Sequence, residues 1–199
     1  MKSLFTAMLA LALPALMIAN NGDEKTTYTV HTEKSSIEWN AYKVTGEHEG
    51  TIDITMGTLE MENGKLVGGE FEIDMTSLAV TDLTGDTKGK LEGHLKSDDF
   101  FGVSTYPKAM LKITKVKEKA DGYHVTADLT IKENTHPVEF IAVMSEDGDN
   151  MIARTRITVD RSKYDVRYGS NSFFDNLGDK AIYDNFDLAV KLVISEEAS

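Results

Sequence analysis

Tyr123-His124-Val125-Thr126-Ala127-Asp128-Leu129-Thr130-Ile131 alternates without a fault. Tyr123, Val125, Ala127, Leu129 and Ile131 take one face, and His124, Thr126, Asp128 and Thr130 take the other. Successive side chains of an extended chain point to opposite sides, so this pattern predicts a strand with one face in a core and one in water. The same period runs outward in both directions. It recurs in Ser36–Tyr42 (Ile37, Trp39, Ala41), Glu70–Met75 (Phe71, Ile73, Met75), Met151–Asp160 (Ala153, Ile157, Val159) and Phe186–Ile194 (Phe186, Leu188, Val190, Leu192). Thr135–Met144 is apolar on both faces after Pro137, which predicts a strand covered on its outer side as well.

Glu62-Asn63-Gly64, Gly68-Gly69, Ala120-Asp121-Gly122 and Asp147-Gly148-Asp149 separate these runs and read as turns. Turns this short join neighbours into antiparallel hairpins, and no long helical pattern intervenes to build a parallel sheet. About eight strands with one apolar face each must pair as two sheets or close on themselves. The expectation is an all-β chain, a barrel or sandwich, with short helices over Gly85–Lys96 and Ser170–Leu177 that cap an open end.

The chain has 199 residues, no cysteine and a formal charge of −12. Such a surface repels phosphate backbones, so nucleic acid is excluded as a partner. Lys2, the apolar run Leu4–Ile18 and Ala19 ahead of Asn20-Asn21-Gly22-Asp23-Glu24 have the layout of a secretory signal peptide. The run is shorter than the ~20 residues needed to span a bilayer and Pro14 interrupts it, so stable membrane insertion is not expected. The expected organisation is a signal peptide over 1–19, one domain over 20–199, and a periplasmic or secreted location.

One stretch departs from the strand pattern. Leu91-Glu-Gly-His-Leu-Lys-Ser-Asp-Asp-Phe-Phe-Gly-Val-Ser-Thr-Tyr-Pro107 reads as a helix that ends near Ser97-Asp98-Asp99 and runs into an aromatic turn. Phe100 and Phe101 belong in a loop only if that loop folds onto something apolar. Gly-His-Leu-Lys-Ser-Asp-Asp-Phe-Phe followed by Tyr-Pro resembles the YceI-like family of exported polyisoprenoid-binding proteins. Lys43–Gly50, Leu66–Phe71, Asp74–Leu78, Leu129–Lys132, His136–Val138, Asp160-Arg161 and Phe173–Lys180 are similar to family motifs in family order. Glu133-Asn134 departs from the family's usual Gly and β-branched pair. The resemblance implies an antiparallel lipocalin-like β-barrel, periplasmic, with an elongated apolar cavity for the tail of a polyisoprenoid or similar amphiphile.

The cavity-facing candidates are Trp39, Ala41, Phe71, Ile73, Leu111, Tyr123, Val125, Ala127, Leu129, Phe140, Ala142, Ala153, Phe186 and Leu188. Small residues among aliphatics argue weakly for a hollow interior, and ordinary core packing is the better explanation of each residue taken alone. Arg161, whose fork suits a phosphate or pyrophosphate, is the leading head-group candidate; a structural pair with Asp160 or Asp165 is the alternative. His48, His94, Phe100, Phe101, Phe173 and Phe174 complete the expected mouth.

The sequence holds no Gly-x-Ser-x-Gly elbow, no His-Glu-x-x-His helix and no paired histidine spacing for a metal. Gly85–Leu91 is like a phosphate loop only superficially, because its glycines are one residue too close and Leu91 stands at the magnesium-binding position. No cofactor, metal or catalytic residue is expected. The leading expectation is a non-enzymatic carrier of an isoprenoid or other long-chain lipid. An isoprenoid-processing enzyme using His48 or His94 as base, a packed interaction scaffold and a homodimer stay open as alternatives.

Overall fold

The computed structural model describes residues 25–148 and 150–196, so the expected signal peptide lies outside the described residues. Nine strands follow in chain order: β1 (Lys25–Val30), β2 (Ser36–Lys43), β3 (Gly46–Glu62), β4 (Lys65–Val80), β5 (Lys108–Lys119), β6 (Gly122–Ile131), β7 (Asn134–Asp147), β8 (Asn150–Asp160) and β9 (Ile182–Glu196). Every pairing is antiparallel, and β3 meets both β2 and β4, which closes the sheet into a barrel. The eight positions are β2 to β9. β1 extends the β2 position, since β2 bonds the first half of β3 and most of β9 while β1 bonds Thr58–Glu62 of β3 and the end of β9. Between them the chain makes a single 3-10 turn, Thr32–Lys34. The Ser35 hydroxyl bridges that gap, accepting from Val193 N–H at 3.0 Å and donating to the His31 carbonyl at 2.8 Å.

Strict alternation fails where the barrel must coil, and bulges are the reason. In β3 the buried set shifts from Ile52 and Ile54 to Leu59 and Met61, with a register shift between Ile54 and Met56. Gly68-Gly69, expected as a turn, lies inside β4, next to a register shift. A Cβ on Gly69 would stand 2.6 Å from the Thr58 carbonyl oxygen. These glycines serve close strand approach rather than chain reversal. A larger irregularity occupies Asp74-Met75-Thr76-Ser77-Leu78. The Asp74 carboxylate accepts from the Thr76 N–H (2.8 Å) and hydroxyl (2.6 Å), and the Ser77 hydroxyl donates to the Asp74 carbonyl (2.7 Å) and accepts from Asp53 N–H (2.8 Å). This local knot turns both Met75 and Leu78 inward, although they are three residues apart.

The expected outer cover of β7 is absent among the described residues. Ile141 and Val143 stay exposed to 40% and 54%, so the apolar outer face of that strand is bare surface. The helix α1 (Gly85–Lys96) forms as the sequence suggests. Ser170–Leu177 does not. Phe173 and Phe174 N–H both bond the Ser170 carbonyl, the Ser170 hydroxyl accepts from Ser172 N–H, and Asn176 and Gly178 adopt φ of 60° and 53°. Side-chain competition and left-handed residues leave turns there in place of a helix.

Both long connections, 81–107 and 161–181, leave from the same end of the barrel. α1 lies across that end with Leu91 and Leu95 half-buried; its Glu92 carboxylate accepts from Val80 N–H (2.9 Å) and Lys96 Nζ donates to the Thr76 carbonyl (2.8 Å). At the opposite end the described connections are tight hairpins. Val30, Met61 and Ile194 are buried there, with Tyr28, Tyr123 and Met151 packed against the core.

Candidate ligand-binding cavity

Inward alternation from β2 to β9 leaves an apolar cavity of about 180 Å3. Its wall is hydrocarbon apart from Thr155, Arg161 and Tyr183. Of the residues expected to face it, Trp39, Ala41, Phe71, Ile73, Leu111, Val125, Leu129, Phe140, Ala142, Ala153, Phe186 and Leu188 do line it. Tyr123 and Ala127 do not. Tyr123 packs at the hairpin end beyond the cavity, and Ala127 is wholly buried but too short to reach past the larger side chains around it. Among the lining residues that sequence reasoning missed are Ile52, Ile54, Leu59, Leu66 and Leu78 on β3 and β4. The bulges there break the alternation that finds the others.

Trp39 is held by two constraints. Its indole N–H donates to the Thr51 carbonyl at 3.3 Å, and its ring covers Gly50, where a Cβ would come within 2.4 Å of the ring and 1.9 Å of the Ala79 carbonyl oxygen. Only glycine permits this approach.

The loop after α1 brings two phenyl rings into the wall. Ser97 ends the helix with N–H and hydroxyl bonds to the His94 carbonyl, and Phe101 and Val103 N–H bond back to Leu95 and Lys96. Gly102, at φ 57°, donates to the Ser97 carbonyl. Phe100 and Phe101, nearly fully buried, meet edge to face at 5.2 Å, and Phe101 contacts Phe186 at 6.5 Å.

Arg161 follows β8 and is only 3% exposed. Its Nε donates to the Tyr183 carbonyl (3.1 Å), Nη1 to Val166 (2.7 Å) and Nη2 to Ile182 (3.0 Å); Nη2 also lies 3.4 Å from Asp184 Oδ1. The guanidinium carbon stands 5.4 Å from the Phe100 ring centre. Burial pulls the Arg161 pKa below its ordinary value, and Asp184 and Asp160 oppose that fall. Asp184, rather than Asp160 or Asp165, is thus the carboxylate that partners Arg161. Tyr164 is buried close by with its hydroxyl unbonded, and burial pushes its pKa up to about 12.

The histidines stand apart from the wall. His48 Nδ1 lies 2.8 Å from the Asp82 carboxylate. His94 packs between Phe100 (5.6 Å) and Tyr168 (4.4 Å), its buried Nε2 without a hydrogen-bond partner. Phe173 and Phe174 lie outside, exposed to 40% and 49%, with Arg167 over the Phe173 ring at 5.0 Å. Tyr183, by contrast, is 52% exposed and still forms part of the wall, which puts the mouth beside it.

A closed antiparallel barrel around an apolar cavity that opens beside Tyr183 is the class these features define. The chain belongs to the YceI-like domain family, whose model matches residues 28–194. It is 32% identical to Protein YceI of Escherichia coli over 78 residues, 39% of this chain and 41% of that protein. It is 40% identical to a UPF0312 protein of Photorhabdus laumondii over 55 residues, 28% of this chain and 29% of that one. The chain thus spans about two fifths or less of the length of these curated relatives. The fold is similar to that of Burkholderia cenocepacia BcnA, with TM-score 0.67, 20% identity, and 82% and 98% of the two chains covered. It is also similar to a polyisoprenoid binding domain from Saccharophagus degradans, with TM-score 0.60, 14% identity, and 86% and 99% covered.

Proposed function

We propose that this protein is an exported carrier that holds a polyisoprenoid or similar long-chain amphiphile in its barrel for transport or storage, in the periplasm. The observation that carries the reading is the apolar cavity, with a wall almost wholly of hydrocarbon inside a closed barrel. Water gains little in such a space, and an apolar chain leaves water on entering it. Family membership and the fold shared with a polyisoprenoid binding domain support the same ligand class. No histidine, carboxylate, serine or cysteine lines the cavity among the described residues, which favours holding a ligand over transforming it.

The volume sets a condition on the reading. At about 180 Å3 the cavity is near the ~150 Å3 apolar chamber that admits a benzene ring. A long chain therefore needs flexible wall side chains, Met75 and Met144 first, to swing aside as it enters.

Native mass spectrometry of the protein purified from its own exported fraction tests this directly. The expected species is the chain cleaved near Asn20 with one isoprenoid-sized adduct, and adding an isoprenoid to delipidated protein should shift the emission of the single Trp39 saturably. An adduct-free species with unchanged Trp39 emission would overturn the carrier reading.

A further inference from the structure

The polar chemistry of the cavity is concentrated at one point. Arg161 is the single side chain of formal charge in the wall among the described residues. Three of its N–H groups already donate to the carbonyls of Val166, Ile182 and Tyr183, and Asp184 Oδ1 lies 3.4 Å from Nη2. Asp184 sits on the inward parity of β9, between Ile182 and Phe186, both of which line the cavity. Its Oδ2 accepts from the Ser172 hydroxyl at 2.6 Å, while Oδ1 is buried without a hydrogen bond. Asp160, whose carboxylate accepts from Ser162, adds a second negative charge near the guanidinium. The Arg161 cation is therefore matched before any ligand arrives.

We propose that the cavity takes long-chain amphiphiles whose head group is polar but uncharged, and discriminates against the same chains ending in phosphate. This rests on the carrier reading and names the ligand class within it. A phosphate drawn to this end would lose its hydration in an apolar chamber, find a cation already paired, and face the Asp184 carboxylate at short range. A phosphate left outside the mouth gains little, because Asp165, Asp175 and Asp179 balance Lys163, Arg167 and Lys180 along the cap and the whole chain carries a net charge of −12. An uncharged head group has neither problem. Arg161 carries five N–H donors, so at least one is left for a hydroxyl or carbonyl oxygen. The pairing that keeps Arg161 from serving as an anion site thus leaves one donor for a neutral group.

Farnesol and farnesyl phosphate share one chain and differ only in the head group, so titrating each into the full-length protein at neutral pH tests the proposal. Trp39 emission and calorimetry both report binding. Farnesol should bind about tenfold tighter or better, a difference of ~1.4 kcal/mol. The second arm is Asp184→Asn, which keeps the shape of the side chain and leaves the Arg161 charge unmatched. It should gain about tenfold for farnesyl phosphate and change little for farnesol. Equal or tighter binding of the phosphate by the unaltered protein overturns the selectivity and leaves the carrier reading standing. Binding of neither compound overturns the carrier reading itself. Discrimination that survives unchanged in a folded Asp184→Asn protein removes the Arg161–Asp184 pair as its cause and overturns the proposal in that form. Should Asp184→Asn fail to fold, the two titrations of the unaltered protein decide alone.

Discussion

The two ends of this barrel are made from the same strands and differ in almost everything else. At the hairpin end, Val30, Met61 and Ile194 are buried, and the cavity stops short of them. Ordinary hydrophobic packing fills that end and holds the barrel shut. At the capped end the strands are joined by 81–107 and 161–181, and Arg161 and Tyr164 are buried beneath them beside the half-buried Asp184. Buried charges cost stability unless they are matched, so their presence marks this end as the one shaped by something other than packing. The difference teaches that the barrel is stabilised from one end and differentiated at the other.

The strongest way to break this contrast is Arg161→Ala. It leaves the Asp184 carboxylate and three carbonyl oxygens without their partner, and removing one member of a buried pair costs about 3–5 kcal/mol. Chemical denaturation should show that loss. A cost under ~1 kcal/mol would mean the pair is as weak as a surface one.

Two phenylalanine substitutions sharpen the boundary between packed and hollow regions. Ala127 is fully buried away from the cavity wall, so Ala127→Phe should overpack and destabilise by about 1–3 kcal/mol. Ala153 lines the wall, so a ring at Ala153→Phe can occupy the cavity; stability should hold while long-chain binding falls. Equal stability losses would mean that the space beside Ala153 is already filled.

The smallest effect concerns the Asp74 knot, at the rim of the capped end. Hydrogen bonds from Thr76 hold the Asp74 carboxyl below its ordinary pKa, against the opposing pull of desolvation. A group lowered on folding contributes stability that is fully present above its unfolded value near pH 4 and is lost as the pH falls through the lower folded value. Unfolding free energies measured from neutral to acid pH should therefore fall more steeply below about pH 4 for the parent than for Asp74→Asn. The difference should be about 0.5 kcal/mol for so wet a site.

The regular strands were legible because one face in oil and one in water forces a period of two on the sequence. Tyr123–Ile131 and Phe186–Ile194 needed nothing more, and Val125, Leu129, Phe186 and Leu188 of the cavity wall followed from them. The same reasoning misplaced Gly68-Gly69, because glycines that reverse a chain and glycines that let two strands approach look identical in one dimension. It passed over Ile52, Leu59 and Leu78, because each bulge resets the alternation and is visible only against the partner strand. It marked Arg161 as a functional cation, since a charge at the end of a strand reads that way. Its partners come from Val166, Ile182, Tyr183 and Asp184, most of them about twenty residues further along the chain. Alternation and turn chemistry are local, so the sequence by itself determined that this chain is an antiparallel β protein with one apolar interior. Which inward residues enclose space, and whether a buried charge is free or matched, depends on distances between segments remote in the chain. Only the closed barrel decided those.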